Sequence, residues 1–202
     1  MTPSSDRRAG IYGGTFDPIH RGHVAVAEQS AELLGLPTLL VVPAGRPPHR
    51  QSPEASAEDR LAMVELALGD HPRLRASDIE VRRPGPSYAV DTLRELGRAD
   101  PATRWTLLLG WDAAREFGTW HSAPEIVSLA DVVVFNRSGQ ESPTRHGLLA
   151  AGLRPETRVL EVDSPELSAD SIRERLAAGE DPAADLHPAV WDYIRSHHLY
   201  GA

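Results

Sequence analysis

The sequence predicts an α/β fold, a single parallel sheet with helices on both faces. Three observations predict it. The runs Ala9–Tyr12, Leu39–Val42, Trp105–Leu109, Asp131–Phe135 and Val159–Val162 are short and largely apolar, as strands buried on both faces are. Stretches with helical apolar spacing alternate with them, which is the pattern of a sheet wound on both sides. With 202 residues and 41% hydrophobic content the chain can bury one core, so a single domain over residues 8–202 is expected, preceded by a disordered lead, Met1–Arg7.

Each element has its own local reason. After Ala9–Tyr12 comes Gly13-Gly14-Thr15-Phe16-Asp17-Pro18-Ile19-His20-Arg21-Gly22-His23, and then a helix from about Gly22 to Leu34, stopped by Gly35 and Pro37. Leu39–Val42 leads into Pro43–Arg50, too rich in proline and glycine for regular structure, which presents Arg46, His49 and Arg50 past a strand's carboxyl end, where open α/β sheets hold ligands. Ser56 can cap a helix that runs to Gly69. Leu74–Val81 reads as a strand with a polar break, Arg83–Pro86 as a turn, and Ser87–Leu93 as the opening of another helix. Trp105–Leu109 is closed by Gly110-Trp111-Asp112, and the last two strands are each followed by a loop and a helical pattern. Ser138–Arg145 and Gly179–Asp185 are polar and loop-like, too short to divide the chain.

Composition excludes several chemistries. The net charge of −8 argues against nucleic acid as a partner. There is no cysteine, hence no disulfide, thiolate metal site or cysteine nucleophile. All 21 basic residues are arginine, so a Walker-type lysine and lysine Schiff bases are absent, and any cationic phosphate clamp must be arginine or histidine. The first ten residues carry no apolar core for a signal peptide, and no run is long enough to span a membrane, so a cytoplasmic protein is the default. Self-association into a homo-oligomer is left open.

The glycine-rich stretch carries the functional signal. Paired glycines let backbone approach an anion without an intervening Cβ, and the first turn of the following helix offers free N–H groups. His20 and His23, three apart at that helix start, would project from one side and donate to phosphate oxygens. A zinc site would need a third ligand at workable spacing and is the weaker reading, since there is no cysteine and His49 sits in a proline-rich loop; phosphate contact is the stronger one.

Gly13–His23 resembles the signature of the H-x-G-H nucleotidyltransferase superfamily, and the closest likeness within it is to the bacterial nicotinate-nucleotide adenylyltransferases. The likeness extends through Val42–Gly45 and Pro47–Arg50, Glu58–Met63, Gly85–Tyr88 with Asp91–Leu93, Gly110 and Asp112, Trp120-His121, and the closing His187–Ile194 with His198–Tyr200. The resemblance implies a Rossmann-like sheet of the nucleotidyltransferase type and transfer of AMP from ATP to nicotinate mononucleotide, with deamido-NAD and pyrophosphate as products of NAD biosynthesis. It implies direct in-line attack, His20 and His23 as catalytic residues, and ATP held by Gly13, Gly14, Thr15, Phe16, His49, Arg50, Ser168 and Arg173, with Mg2+ carried on the nucleotide and no metal held by the protein. Ser87, Tyr88, Asp112, Trp120 and His121 would bind the acceptor. Trp120 would stack on the pyridine ring, backbone N–H groups near Tyr88 and His121 would read its carboxylate, and Asp112 would bond a sugar hydroxyl or else cap a helix. Asp17 would hold a turn through backbone N–H groups. Two departures stand out. Trp111 is bulkier than the family's usual residue, and Leu167–Arg173 reads L-S-A-D-S-I-R where I-S-S-T-x-I-R is usual, so Asp170 sets a carboxylate beside anions unless it turns away, caps the helix or meets the metal. Rival readings are a sister adenylyl- or cytidylyltransferase with phosphopantetheine or nicotinamide mononucleotide as acceptor, and a nucleotide-binding protein that does not catalyse.

Overall fold

A computed structural model describes residues 7–48 and 52–202. Its centre is one sheet of six parallel strands in the order β3-β2-β1-β4-β5-β6. In chain order these are β1 (Arg7–Gly14), β2 (Leu39–Pro43), β3 (Leu74–Ala76), β4 (Thr103–Gly110), β5 (Ala130–Arg137) and β6 (Arg158–Val162). The helices are α1 (Arg21–Leu33), α2 (Ala57–Leu68), α3 (Ala89–Ala99), α4 (Trp111–Ala114), α5 (Ala123–Leu129), α6 (Arg145–Ala150), α7 (Ala169–Ala177) and α8 (Pro188–Ser196).

The apolar strands are explained by strict alternation between two cores. Tyr12, Val41, Leu108 and Val133 join Val26, Val64, Ile172 and Ile194 from α1, α2, α7 and α8 on one face. Their neighbours Ile11, Val42, Leu107, Leu109 and Val134 join Val90, Leu93 and Ile126 from α3 and α5 on the other. The central strands β1, β2, β4 and β5 are therefore apolar through their middles, whereas the edge strands β3 and β6 expose Arg75, Arg158 and Glu161.

The structure shifts three boundaries. Arg7, expected as the last residue of the lead, is the first residue of β1 and pairs with Thr103. The strand expected over Leu74–Val81 ends at Ala76, because the chain folds into a turn in which Arg82 N–H bonds Asp78 carbonyl and the Glu80 side chain is drawn into a buried network. Arg145, expected at the end of a loop, opens α6, with the Thr144 hydroxyl as its cap. Among the described residues no helix is long and apolar enough to cross a membrane.

Candidate active site

The order of strands reverses direction between β1 and β4, and ligands of open α/β sheets bind in the crevice outside the carboxyl ends of the strands at such a point. β1 ends there in Gly13 and Gly14. A Cβ on Gly13 would meet no atom within 4 Å among the described residues beyond its chain neighbours, whereas one on Gly14 would lie 2.7 Å from the Phe16 ring. Phe16, at φ 53°, turns the chain back under the sheet and is itself buried. The Thr15 carbonyl accepts a 2.7 Å bond from the Arg60 guanidinium. Across a trans peptide the following N–H points the opposite way, so Arg60 aims the Phe16 amide away from α2. The amides of Thr15 and Phe16 have no acceptor among the described residues. Successive unpaired N–H groups around a left-handed residue form a concavity suited to an anion.

His20 caps α1, and its geometry fixes its chemistry. The His23 amide donates to His20 Nδ1 and the His20 amide donates to His23 Nδ1, each at 3.3 Å. With its Nδ1 accepting, neutral His20 keeps its proton on Nε2 and offers one donor there. The two rings stack, with centroids 3.6 Å apart. Gly22 makes room for the pair, since a Cβ there would lie 3.1 Å from both His20 Nδ1 and the Pro165 carbonyl. Burial, reinforced by the Arg137 charge and opposed by Asp185, pulls the His20 pKa down from 6.5 to about 4, so His20 is uncharged at neutral pH.

Arg137 stands at the carboxyl end of β5, and its side chain makes no hydrogen bond or ion pair among the described residues. Its charge is felt by His20. Sequence reading passed over it, although an arginine closing a buried strand is a signal that could have marked it.

Other expected residues fall into place around this cradle. Asp17 is buried and accepts the amides of Glu54 and Ala55 at 2.8 and 3.1 Å and the Tyr200 hydroxyl at 2.8 Å, so it fastens the glycine loop to a distant segment and not to its own turn. Ser168 caps α7 by accepting the Ser171 amide at 3.1 Å. Arg173 donates to the Asp17 carbonyl at 2.7 Å, to Glu54 at 2.8 Å and to Asp170 at 2.6 Å. Asp170 therefore faces an arginine on its own helix, which answers the repulsion that its carboxylate raised. His49 and Arg50 lie outside the described residues.

On the other side of the crevice, Tyr88 and His121 meet with ring centroids 4.4 Å apart. Tyr88 is the N-cap of α3 and makes no side-chain cap bond, and the amides of Tyr88 and His121 have no acceptor among the described residues. Arg94 of α3 grips Glu125 of α5 through two hydrogen bonds, of 2.8 and 2.5 Å, holding these two walls together. Trp120 is half-buried against Phe117, at 5.7 Å between centroids. Asp112 does not cap α4, whose cap is Gly110, but bonds Arg115 at 3.1 Å from an exposed position. A cavity of about 500 Å³ opens beside it, bounded by Trp111, Asp112, Arg115, Gln140 and Thr144, with the Trp111 ring packed against Gly147 and below Arg115. The Ser87 hydroxyl faces the loop after β2, where it accepts the Arg46 amide at 3.1 Å.

The cytidylyltransferase-like family model matches residues 11–175. The chain is 41% identical over 197 residues to a probable nicotinate-nucleotide adenylyltransferase of Synechococcus sp. (strain JA-3-3Ab), covering 96% of this chain and 95% of the relative. It is 40% identical to one from Pseudomonas syringae pv. tomato, covering 97% and 95%. Its fold matches the Plasmodium falciparum nicotinic acid mononucleotide adenylyltransferase complexed with NaAD, with a TM-score of 0.77 at 20% identity over 96% of this chain and 97% of that one. The chain belongs to the cytidylyltransferase-like family and, within it, to the nicotinate-nucleotide adenylyltransferases.

Proposed function

We propose that this protein transfers AMP from ATP to nicotinate mononucleotide, releasing pyrophosphate and forming deamido-NAD. What supports this reading is that two sets of anion donors follow the carboxyl ends of strands β1 and β4 and the loop into α3, on the edge of the sheet where its strand order reverses. The first consists of the Thr15 and Phe16 amides, unpaired among the described residues, the Nε2–H donor of His20 with the His23 ring stacked on it, and the Arg137 guanidinium. The second is the pair of unpaired amides at Tyr88 and His121, beside Trp120.

The chemistry follows from these donors. The acceptor's 5′-phosphate oxygen forms a bond to the α-phosphorus of ATP while the bond to the bridging oxygen breaks and the electron pair leaves with pyrophosphate. Such a reaction needs alignment and charge stabilisation more than a protein nucleophile. His20 and His23 would donate to oxygens of the α-phosphoryl group and the triphosphate, and Arg137 would offset the charge on a neighbouring phosphate. Gly13 and Gly14 bring backbone close to the chain of phosphates, and Ser168 keeps its hydroxyl hydrogen for one of them. Arg173 acts mainly by bracing Asp17 and the glycine loop. Mg2+ would arrive bound to the triphosphate, where it neutralises phosphate charge; among the described residues no group of three or more His, Asp or Glu could hold a metal ion.

On the acceptor side, a carboxylate suits two bare amides at a helix start, while a carboxamide would present an NH2 group to one of them. That favours nicotinate over nicotinamide. Trp120 offers a flat face to the pyridine ring, and the exposed Asp112 a carboxylate to a ribose hydroxyl.

Pyrophosphate release tests the reading. Measured with ATP and CTP against nicotinate mononucleotide, nicotinamide mononucleotide and phosphopantetheine, it should be fastest with ATP and nicotinate mononucleotide. A preference for another pair would replace the acceptor or nucleotide assignment, and no release with any pair would make the protein a non-catalytic binder.

A further inference from the structure

The loop after β2 and the loop leading into α3 belong to different sides of the crevice, yet they are joined. The Ser87 amide donates to the Arg46 carbonyl at 2.8 Å, and the Arg46 amide donates back to the Ser87 hydroxyl oxygen at 3.1 Å. The Ser87 hydroxyl in turn bonds the Glu80 carboxylate, which is buried and also receives the Thr92 hydroxyl at 2.6 Å. Arg83 completes the cluster, donating to the Thr92 oxygen at 2.9 Å and standing 4.0 Å from Glu80. The contact between the loops is tight, since a Cβ on Gly45 would lie 2.2 Å from the Glu80 carbonyl oxygen. From Gly45 the connection continues to the phosphate cradle. Arg60 donates to the Gly45 carbonyl at 3.2 Å and to the Thr15 carbonyl at 2.7 Å, and the Ala44 amide donates to the Gly14 carbonyl at 2.8 Å.

We propose that Ser87 and Glu80 are positioning residues that make the loop after β2 and the acceptor loop one mechanical unit, so that nucleotide and acceptor bind cooperatively. Neither side chain needs to touch a ligand for this. A ligand that shifts the loop after β2 also shifts Ser87 and, through it, the Tyr88 amide at the start of α3, so the second ligand meets a site already set by the first. The effect must be reciprocal, because it is a single coupling free energy between two sites. Ser87, expected from sequence to touch the acceptor, thereby acts through its neighbours.

This inference rests on the nucleotide and acceptor sides assigned above, and calorimetry can test the two separately. An ATP analogue with a methylene group between the α and β phosphates is titrated with and without nicotinate mononucleotide, and the reverse titration is performed. The ratio of affinities is the coupling factor. Direct contact between the two ligands contributes equally in all variants, so the change caused by Ser87→Ala isolates the protein's part. Ser87→Ala and Glu80→Gln should each lower the factor roughly tenfold, equally in both directions of titration. Ser87→Thr, which keeps the hydroxyl, should restore it. Should Glu80→Gln fail to fold, Ser87→Ala against Ser87→Thr carries the test alone. Both ligands binding with equal factors in wild type and Ser87→Ala would overturn the coupling alone. No binding of nicotinate mononucleotide to the wild type would overturn the acceptor assignment and the coupling with it.

Discussion

Replacing His20 separates two roles that one imidazole plays. Its Nδ1 caps α1 by accepting the His23 amide, and its Nε2–H is the donor aimed at the reacting phosphate. His20→Ala removes both. Loss of an N-cap costs about 1 kcal/mol, and the 3.3 Å length of this bond favours the lower end of that range. Loss of one donor to charge that develops in the transition state costs on the order of 100- to 1000-fold in kcat, about 3–4 kcal/mol. His20→Ser divides the two, because serine is a good N-cap but too short to reach the substrate. Both variants should lose kcat to the same degree with little change in the acceptor KM, while urea unfolding should show His20→Ser recovering most of the stability that His20→Ala loses. The assay is pyrophosphate release under saturating ATP and nicotinate mononucleotide. A kcat in His20→Ala within a few-fold of wild type would refute the role given to Nε2, and full recovery of kcat in His20→Ser would reduce His20 to a structural cap.

Further expectations follow from the same geometry. His20 should titrate near 4 by NMR, and because its folded pKa lies below the usual 6.5, the unfolded chain takes up the proton first as pH falls; the penalty is absent above about pH 6.5 and grows to about 3 kcal/mol as pH approaches 4. Urea unfolding across that window should therefore fall more steeply in wild type than in His20→Ser, and equal slopes would contradict it. Tyr200→Phe, which removes the hydroxyl bond to buried Asp17, should cost about 1.5–3 kcal/mol of stability by thermal or urea unfolding and lower kcat several-fold by loosening the glycine loop. Trp120→Ala should raise the KM for nicotinate mononucleotide and leave that for ATP nearly unchanged in initial-rate assays; an effect confined to ATP would put the ring in the other pocket.

Much of this protein is legible in its sequence because the relevant signals are local. β1, β2, β4 and β5 are buried on both faces, so hydrophobicity alone marks them, and the glycine loop states its purpose through residues that have little use in packing. His20 and His23 were foreseeable as a pair because three-residue spacing at a helix start brings side chains together. What escaped detection depends on contacts distant in sequence. Nothing near Arg60 says that its guanidinium reaches Thr15 and Gly45, and nothing near Tyr200 says that its hydroxyl closes on Asp17, 183 residues away. Leu74–Val81 misled because Ile79 and Glu80 are buried by a turn that packs against Gly45, and burial alone imitates a strand. Asp170 looked hostile to phosphate until the fold set Arg173 one helical turn beyond it.

The central claim is a single direct transfer, in which imidazoles and bare amides hold the triphosphate while the acceptor phosphate attacks. The stereochemical course at the α-phosphorus tests this most directly, using ATP made chiral there by a sulfur substitution and reading the configuration of the dinucleotide product. One in-line displacement predicts inversion. Retention would mean two displacements through a nucleotide bound covalently to the protein, and would contradict the account.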